Sequence, residues 1–205
     1  TLEATGANVV LLKAHGTIII AKDPDNARHL GNVLEQVAGQ IYDRLVPGGR
    51  SPVRTTKRVA TSRREGGKIH YFDAEDAPVL PDEISRQRHE RCYAERKDVH
   101  AVVSCEDPDV GTFYGRTLRP YLDDFAQLVG TRANRSHRHN VVLLKDEALC
   151  LGPDPVEAGY VKHVLVKNAR SARVAVNSGG HPIVAWECLL MNAVYQLKYS
   201  KEAGR

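Results

Sequence analysis

The sequence predicts an α/β fold, because short apolar, strand-like runs alternate with longer segments of helical periodicity. One strand–helix pattern occurs twice along the chain. Residues 8–13 and 140–145 both read Asn-Val-Val-Leu-Leu-Lys, and their flanks realign at Asp23-Pro24 and Asp154-Pro155 after a one-residue deletion. An identity of this length with matched flanks indicates an internal duplication of one structural piece.

The first copy is predicted to form either a strand pair or one bent strand, followed by a helix. Val9–Leu12 and residues 17–21 are apolar, β-branched runs typical of strands. Asp23-Pro24 predicts a helix start, and apolar residues keep helical spacing to about Leu45. The Pro- and Gly-rich segment that follows ends this helix. We therefore interpret residues 1–47 as the closing strand–helix piece of one lobe, 48–52 as a linker and 53–205 as a second lobe.

The second lobe is predicted to continue the alternation of strands and helices. The predicted helices cover residues 81–97, 111–118, 155–168 and 181–199, and the predicted strands cover residues 68–72, 99–103 and 140–151. Residues 121–129 are predicted to form a strand or a turn, and residues 169–176 either extend the preceding helix or form a strand. The last helix is predicted to pack one apolar face inward, namely Ile183, Trp186, Leu189, Leu190, Ala193, Val194 and Leu197.

The composition favours a globular protein of one or two domains. The chain has 205 residues, of which 42% are hydrophobic and 26% are charged, and its net charge is +4. Its four cysteines lack Cys-x-x-Cys spacing, which argues against a zinc ribbon or a redox pair. The sequence shows no bilayer-spanning apolar run, no signal peptide and no nucleic-acid-binding motif. We therefore expect a cytoplasmic protein whose partners include neither a membrane nor a nucleic acid.

Two parts of the chain carry a family pattern. Residues 13–16 (Lys-Ala-His-Gly) follow a strand and precede the Asp-Pro-capped helix, while His89, Tyr93 and Asp98-Val99 precede a later strand. In this spacing the two segments resemble the class II aldolase/adducin family. The resemblance implies a three-layer α/β/α fold around a mainly antiparallel central sheet. It also implies a divalent metal such as Zn²⁺, held by three histidines, that acts as a Lewis acid in enediolate chemistry.

The second lobe departs from this family at each expected site position. The two strand histidines of the family fall at Ser104 and Glu106, its catalytic glutamate falls at Ser85, and its third histidine falls near Asp146-Glu147. One serine and one carboxylate do not make a three-histidine zinc site. We therefore expect the second lobe to lack the catalytic metal, although Glu106 stays a candidate catalytic group because a carboxylate can accept a proton.

The first copy keeps the histidine that the second copy has lost. His15 is the predicted metal ligand, and Gly16 and Lys13 are the predicted substrate contacts. The remaining ligands would come from an upstream lobe or a second chain. Two further catalytic candidates lie at the termini. Thr1 could act as an N-terminal nucleophile, and Tyr199 lies in a C-terminal segment that in similar proteins approaches a neighbouring active site.

Three functions remain open from the sequence. The first is the carboxyl-terminal part of a tandem class II aldolase-like lyase, with a structural second lobe. It would perform metal-dependent carbon–carbon cleavage or related enediolate chemistry on a small hydroxy-carbonyl substrate, with or without a phosphate. The second is a non-catalytic, adducin-like scaffold. The third is an autoprocessed fragment with Thr1 as its nucleophile. A homo- or hetero-oligomer is expected.

Overall fold

The structure, a computed structural model, describes residues 8–12, 16–46 and 59–198. The chain divides into two compact units, residues 1–49 and residues 50–205. The predicted linker at residues 48–52 lies outside the described residues, so the predicted lobe boundaries stay a prediction. Within the described ranges, no helix combines the length and the apolar character needed to cross a bilayer.

The first unit contains a β-hairpin followed by a long helix. Strand β1 (Val9–Leu12) pairs antiparallel with β2 (Gly16–Ile19), and helix α1 (Pro24–Leu45) follows. The Asp23 carboxylate accepts a hydrogen bond of 2.7 Å from the backbone N–H of Asn26 and so caps the helix. Pro24 occupies the first turn, where its missing N–H costs nothing. The strand pair and helix predicted for this segment are therefore confirmed.

The second unit is built on an antiparallel sheet. In the described range 59–198, the sheet strands are β3 (Thr61–Glu65), β4 (Lys68–Phe72), β5 (Ala101–Cys105), β6 (Val141–Leu143) and β7 (Ala148–Gly152), in the order β4-β3-β5-β7-β6. The helices of the same range are α2 (Glu83–Glu95), α3 (Pro108–Gly111), α4 (Asp123–Leu128), α5 (Pro155–Ser178) and α6 (Ala185–Lys198).

Helices cover both faces of this sheet. Successive strand residues point to opposite faces, so β7 sends Leu149 into a core with Cys92 of α2 and Cys150 into a core with Leu165 of α5. Phe125 of α4 is fully buried in the same core as Leu165. The second unit therefore has three layers: α2 on one face, the sheet in the middle, and helices on the other face, of which α5 is the longest. The predicted three-layer α/β/α fold with a mainly antiparallel sheet is confirmed.

The sequence repeat is also a structural repeat. In the first hairpin Val9 pairs with Ile19, and in the second hairpin Val141 pairs with Cys150, which are the equivalent positions of the two copies. Both hairpins lead into a helix that begins with a proline after an aspartate cap. The same residues therefore produce the same hairpin–helix piece in both units.

Two short elements of the second unit differ from the prediction. The helix predicted over 111–118 is wrong, because α3 ends at Gly111 and turns follow. Asp107 starts this helix early by accepting hydrogen bonds from the N–H groups of Asp109 (2.8 Å) and Val110 (3.3 Å). The strand or turn predicted over 121–129 is also wrong, because α4 forms there. Burial of Phe125 against α5 favours this helix although it is too short to be stable alone.

The inward-facing prediction for α6 is wrong for most of its apolar residues. Trp186 is 65% exposed, and Leu189, Leu190, Val194 and Leu197 are exposed as well, whereas Cys188 is buried. Asn192 Nδ2 of this helix donates a 2.6 Å hydrogen bond to the Gln127 carbonyl of α4. The apolar pattern correctly predicted that α6 is a helix. In the described part of the chain, however, only the side of α6 that carries Cys188 is buried.

Gly152 gives a prediction about the junction of β7 and α5. A Cβ atom at Gly152 would lie 2.5 Å from the backbone nitrogen of Ala158 and 3.0 Å from the Asp154 carbonyl oxygen. Because both contacts are backbone, Gly152→Ala is expected to reduce the free energy of unfolding by about 2 kcal/mol. Urea denaturation followed by circular dichroism measures this loss.

The matched control is Gly159→Ala in the first turns of α5. A Cβ atom there meets nothing within 4 Å, so helix propensity should raise stability by up to about 1 kcal/mol. Equal midpoints for the wild type and Gly152→Ala would contradict the close approach of these backbones.

Candidate functional site

The structure places side chains from three elements together where the resemblance locates the family's metal site. Ser104 lies on β5, and Glu147 directly precedes β7. The Ser104 hydroxyl donates a 2.9 Å hydrogen bond to Glu147 Oε1. Arg88 of α2 donates a 2.7 Å hydrogen bond from Nη1 to Glu147 Oε2. Both carboxylate oxygens of Glu147, which is only 2% exposed, are therefore engaged.

Arg88 connects two neighbouring acidic residues. Its Nη2 atom lies 2.9 Å from Asp146 Oδ1, while Nη1 binds Glu147. Burial lowers the pKa of the Arg88 guanidinium, but the hydrogen bonds to Glu147 and Asp146 raise it by more. Arg88 therefore stays charged and neutralises the buried Glu147. A buried carboxylate without such a partner would cost several kcal/mol, on the order of 3 to 5.

The hydrogen-bond network continues from Ser104 into the sheet–helix interface. His89 Nε2 lies 3.4 Å from Ser104 Oγ, and His89 Nδ1 lies 2.7 Å from Ser62 Oγ. Because the Ser104 proton goes to Glu147, Ser104 can only accept from His89, which assigns the His89 proton to Nε2. The Ser62 hydroxyl then donates to Nδ1. The Tyr93 hydroxyl donates to the Ser62 carbonyl at 2.8 Å, and burial raises the pKa of Tyr93, which keeps it protonated.

These contacts differ from those of a hydrolytic catalytic triad. In a triad the carboxylate orients the imidazole and the imidazole activates the serine. Here the carboxylate of Glu147 contacts Ser104 itself, and the proton of Ser104 points away from His89. Ser104 is 6% exposed and His89 is 1% exposed, so neither is open to a substrate. The arrangement satisfies buried polar groups and does not activate a nucleophile.

The residues at the family's ligand positions do not fit a zinc ion. Zinc requires three or four imidazole, thiolate or carboxylate donors in tetrahedral geometry. Ser104 offers a hydroxyl, and Glu147 is ion-paired with the Arg88 guanidinium. Across residues 8–12, 16–46 and 59–198, no three His, Cys, Asp or Glu side chains are grouped to hold a metal. The absence of the catalytic metal from the second lobe stays a prediction.

Ser85, at the family's glutamate position, has a structural role. Its hydroxyl donates a 2.6 Å hydrogen bond to Asp82 Oδ2, and its backbone N–H donates to Asp82 Oδ1 at 2.9 Å. These bonds lower the pKa of the Asp82 carboxyl. Asp82 therefore caps α2, and Ser85 supports the cap. Glu106, the other carboxylate candidate, follows the end of β5 and is half-buried.

Most of the predicted site residues of the first copy and the termini cannot be placed. Thr1, Lys13, His15 and Tyr199 lie outside the described residues, so their assigned roles stay predictions. Gly16 is described and opens β2 opposite Leu12 with a φ of +117°. This backbone conformation strongly favours glycine, so glycine at this position has a structural reason independent of any substrate contact.

Arg88 and Ser62 are the residues that sequence reasoning missed. Arg88 contacts Asp146 and Glu147, which lie 58 and 59 positions further along the chain. Ser62 lies 27 positions before His89. No local spacing signals contacts at such separations. The one available hint was that Arg88 neighbours His89, a position already singled out by the family pattern.

His137 is a buried histidine in the loop that precedes β6. Its side chain is only 7% exposed, and Nδ1 lies 3.3 Å from Glu95 Oε2. Burial lowers the pKa of His137, and the Glu95 charge offsets this only in part. Burial also lowers the pKa of His139, which contacts the Val129 carbonyl. Both imidazoles are therefore more easily protonated in the unfolded chain than in the folded one.

This difference predicts a loss of stability in mild acid. Because the unfolded histidine has a pKa of about 6.5, the unfolded state binds more protons below that value. The stability is fully present above about pH 6.5 and is lost as the pH falls towards the folded-state pKa of His137. Urea denaturation at pH 7.5 and 5.5 should show this decrease, and His137→Gln should reduce it. His181→Gln, at an exposed position, is the control. A higher stability at pH 5.5 would contradict the prediction.

Known structures share this fold. No family model and no curated protein matches the sequence. An L-fuculose 1-phosphate aldolase superposes with a TM-score of 0.52 at 14% identity, over 79% of this chain and 95% of that chain. The aldolase/epimerase/decarboxylase-type protein YgbL from Klebsiella pneumoniae gives a TM-score of 0.49 at 15% identity, over 78% and 98%. The likeness to the first shows that the chain has a class II aldolase-like fold.

Proposed function

We propose that the second unit is a non-catalytic class II aldolase-like lobe with a structural role. The observation that carries this proposal is the Arg88–Glu147 ion pair of 2.7 Å, with Ser104 hydrogen-bonded to the same carboxylate. The family's ligand positions are occupied by groups that satisfy one another. A metal ion bound to Glu147 would lie beside a permanent positive charge and would have to displace Arg88.

A zinc-binding measurement on the His15→Ala variant tests this proposal. This background removes the predicted ligand of the first unit, so any bound metal would come from elsewhere in the chain. After equilibration with zinc and removal of free metal, elemental analysis is expected to find no stoichiometric zinc. One bound zinc per chain that disappears on a further Glu147→Ala substitution would overturn the proposal.

A metal-dependent lyase is the second candidate for the working protein. The first unit repeats the hairpin–helix piece of the second unit in the same register, and the connection between β1 and β2 corresponds to the one that carries Glu147. We propose His15 as a zinc ligand in that connection, with Gly16 and Lys13 towards the substrate. The bound metal would supply Lewis acidity for carbon–carbon cleavage or related enediolate chemistry.

The exposed apolar face of the first unit supports completion by further chain. Leu11 is 72% exposed and Ile18 is 45% exposed, whereas their counterparts Leu143 and Leu149 are fully buried. The second unit buries these positions between its sheet and its helices. We therefore propose that an upstream lobe or a second chain covers the first unit and contributes the other ligands, in a homo- or hetero-oligomer.

For the working protein, metal content distinguishes a metal-dependent lyase from a non-catalytic scaffold. The protein purified from its native host is expected to hold zinc or another divalent metal if the lyase proposal holds. His15→Ala should then remove it, whereas His29→Ala, at an exposed position of α1, should leave it in place. A metal-free native protein, or a metal content that His15→Ala does not change, would refute the lyase proposal. The non-catalytic scaffold would then be the remaining candidate function.

A further inference from the structure

Helix α6 turns its more polar side to the protein and an apolar side to the solvent. Cys188, Asn192 and Tyr195 lie on one side of the helix, because they are three or four residues apart, and they are buried or half-buried. The opposite side carries an apolar stripe of exposed residues, namely Trp186, Leu189, Leu190, Ala193, Val194 and Leu197. A surface helix normally places its apolar side against a core. The apolar stripe of α6 therefore has the character of a contact surface.

The apolar stripe is large enough to support a specific contact. Its large side chains are 46% to 69% exposed, and together they present roughly 500 Å² of apolar surface. That is near the upper end of the single patches of about 300 to 600 Å² found on monomers. Two copies that cover each other would remove roughly 1,000 Å² from water, about the least that a specific interface needs. A cavity of about 530 Å³, lined by Leu190 and Val194 of the stripe and by Met191, extends this surface.

The spacing of the apolar stripe fits a second copy of the same helix in the antiparallel direction. Its six positions are symmetric about the midpoint between residues 191 and 192. The pairs at equal distance from this midpoint are Trp186 with Leu197, Leu189 with Val194, and Leu190 with Ala193. A two-fold axis at the midpoint places each member of a pair opposite the other member on the second copy. The stripe is therefore complementary to itself.

The charges of α6 favour the same direction. Glu187 lies in the first turn, Lys198 is the last residue, and the helix sequence contains no other charged residue. Antiparallel packing brings the acidic end of each helix towards the basic end of the other, whereas parallel packing would bring like charges together. The two helix dipoles also attract each other only in the antiparallel arrangement. Charge and apolar spacing therefore agree on one geometry.

We propose that two copies of this chain associate through the apolar stripes of α6, packed antiparallel around a two-fold axis. Trp186 of each copy would be the anchor, against Leu197 and beside Val194 of the second copy, because a tryptophan removes a large apolar area from water. The contact uses neither the first unit nor a metal. The proposal is therefore independent of whether the protein is a lyase or a scaffold.

Sedimentation equilibrium of the full chain tests the proposal. A reversible dimer with a Kd of about 1 to 100 μM is expected, because the buried area is close to the minimum for a specific interface. Trp186 is the only tryptophan of the chain, so its emission should move to shorter wavelength as the dimer forms. A monomer up to about 0.2 mM would overturn the proposal. If the monomer already emitted at short wavelength, the same chain would be the cover of the stripe.

A matched pair of variants separates this contact from association elsewhere on the chain. Leu190→Glu buries two carboxylates close to the axis and should weaken the dimer at least about 30-fold. Val176→Glu makes the same kind of change at an exposed position of α5 and should alter the Kd by less than about 2-fold. Both side chains are exposed, so thermal melting should stay close to that of the wild type. A dimer that persists in Leu190→Glu, or an equal loss in both variants, would overturn the proposal.

Cross-linking of single cysteines with a short bis-maleimide tests the direction of packing. In the antiparallel dimer the two copies of residue 193 lie about 4.5 Å apart along the helix axes, and those of residue 197 about 16 Å apart. Ala193→Cys is therefore expected to cross-link and Leu197→Cys is not. The four native cysteines are buried and provide the background control. Equal cross-linking at both positions would indicate parallel helices and overturn the antiparallel arrangement.

Discussion

Glu147→Ala is expected to lower the free energy of unfolding by about 3 kcal/mol or more. The substitution removes a carboxylate that is 2% exposed and receives hydrogen bonds from Arg88 and Ser104. It leaves the half-buried guanidinium with only Asp146 and leaves the Ser104 hydroxyl without its acceptor. Urea denaturation at pH 7 measures the loss.

Two variants establish the origin of this loss. Asp146→Ala removes the exposed partner of the same arginine, and it should cost less than about 1 kcal/mol. In a double-mutant cycle, Arg88→Ala combined with Glu147→Ala should be less destabilising than the sum by at least about 1 kcal/mol. Additive losses would show that the ion pair does not hold α2 to the β6–β7 connection.

Asp109→Ala is expected to have a similarly large effect, about 3 kcal/mol. Asp109 is fully buried at the start of α3 and forms ion pairs with two arginines of α5. Arg173 binds Asp109 Oδ1, and Arg170 Nε lies 3.1 Å from Oδ2. The alanine variant leaves Arg173, which is 9% exposed, without this carboxylate. Thermal unfolding monitored by circular dichroism should show the loss as a lower midpoint.

The controls for Asp109 vary charge and exposure separately. Asp109→Asn keeps the side-chain volume but removes the charge. It should therefore lower the free energy of unfolding by most of the amount expected for Asp109→Ala. Asp98→Ala removes a carboxylate that is 66% exposed and paired with Arg96, so it should cost less than about 1 kcal/mol. If Asp109→Asn matched the wild type, the contribution would come from packing instead of charge.

The long and repeated elements could be predicted from the sequence. An identical hexapeptide and an Asp-Pro cap identify the two hairpin–helix copies, and each of these signals is local in the sequence. The helix at 111–118 and the strand or turn at 121–129 could not be predicted correctly. A helix as short as α4 has no side-chain cap, and it depends on the burial of residues such as Phe125 against distant parts of the chain.

The candidate site was predicted only in part. The family spacing singled out Ser104 and Asp146-Glu147, which the structure brings together, and the absence of the zinc site there stays a prediction. It did not predict what replaced that site. Arg88 becomes the partner of Glu147 only because α2 packs on the sheet beside β7, and no pattern within either segment records that packing. Likewise, the contact of His137 with Glu95 of α2 joins residues that are far apart in the chain.

The sequence by itself determined the α/β alternation and the duplicated hairpin–helix piece, and it has a serine and a glutamate, not histidines, at positions 104 and 106. Each of these follows from local periodicity, local capping or residue identity. Only the tertiary structure decided that the remaining polar groups form one buried network and that α6 exposes most of its apolar face. Those features depend on contacts between segments far apart in the chain, which folding brings together through burial of the two cores around the sheet.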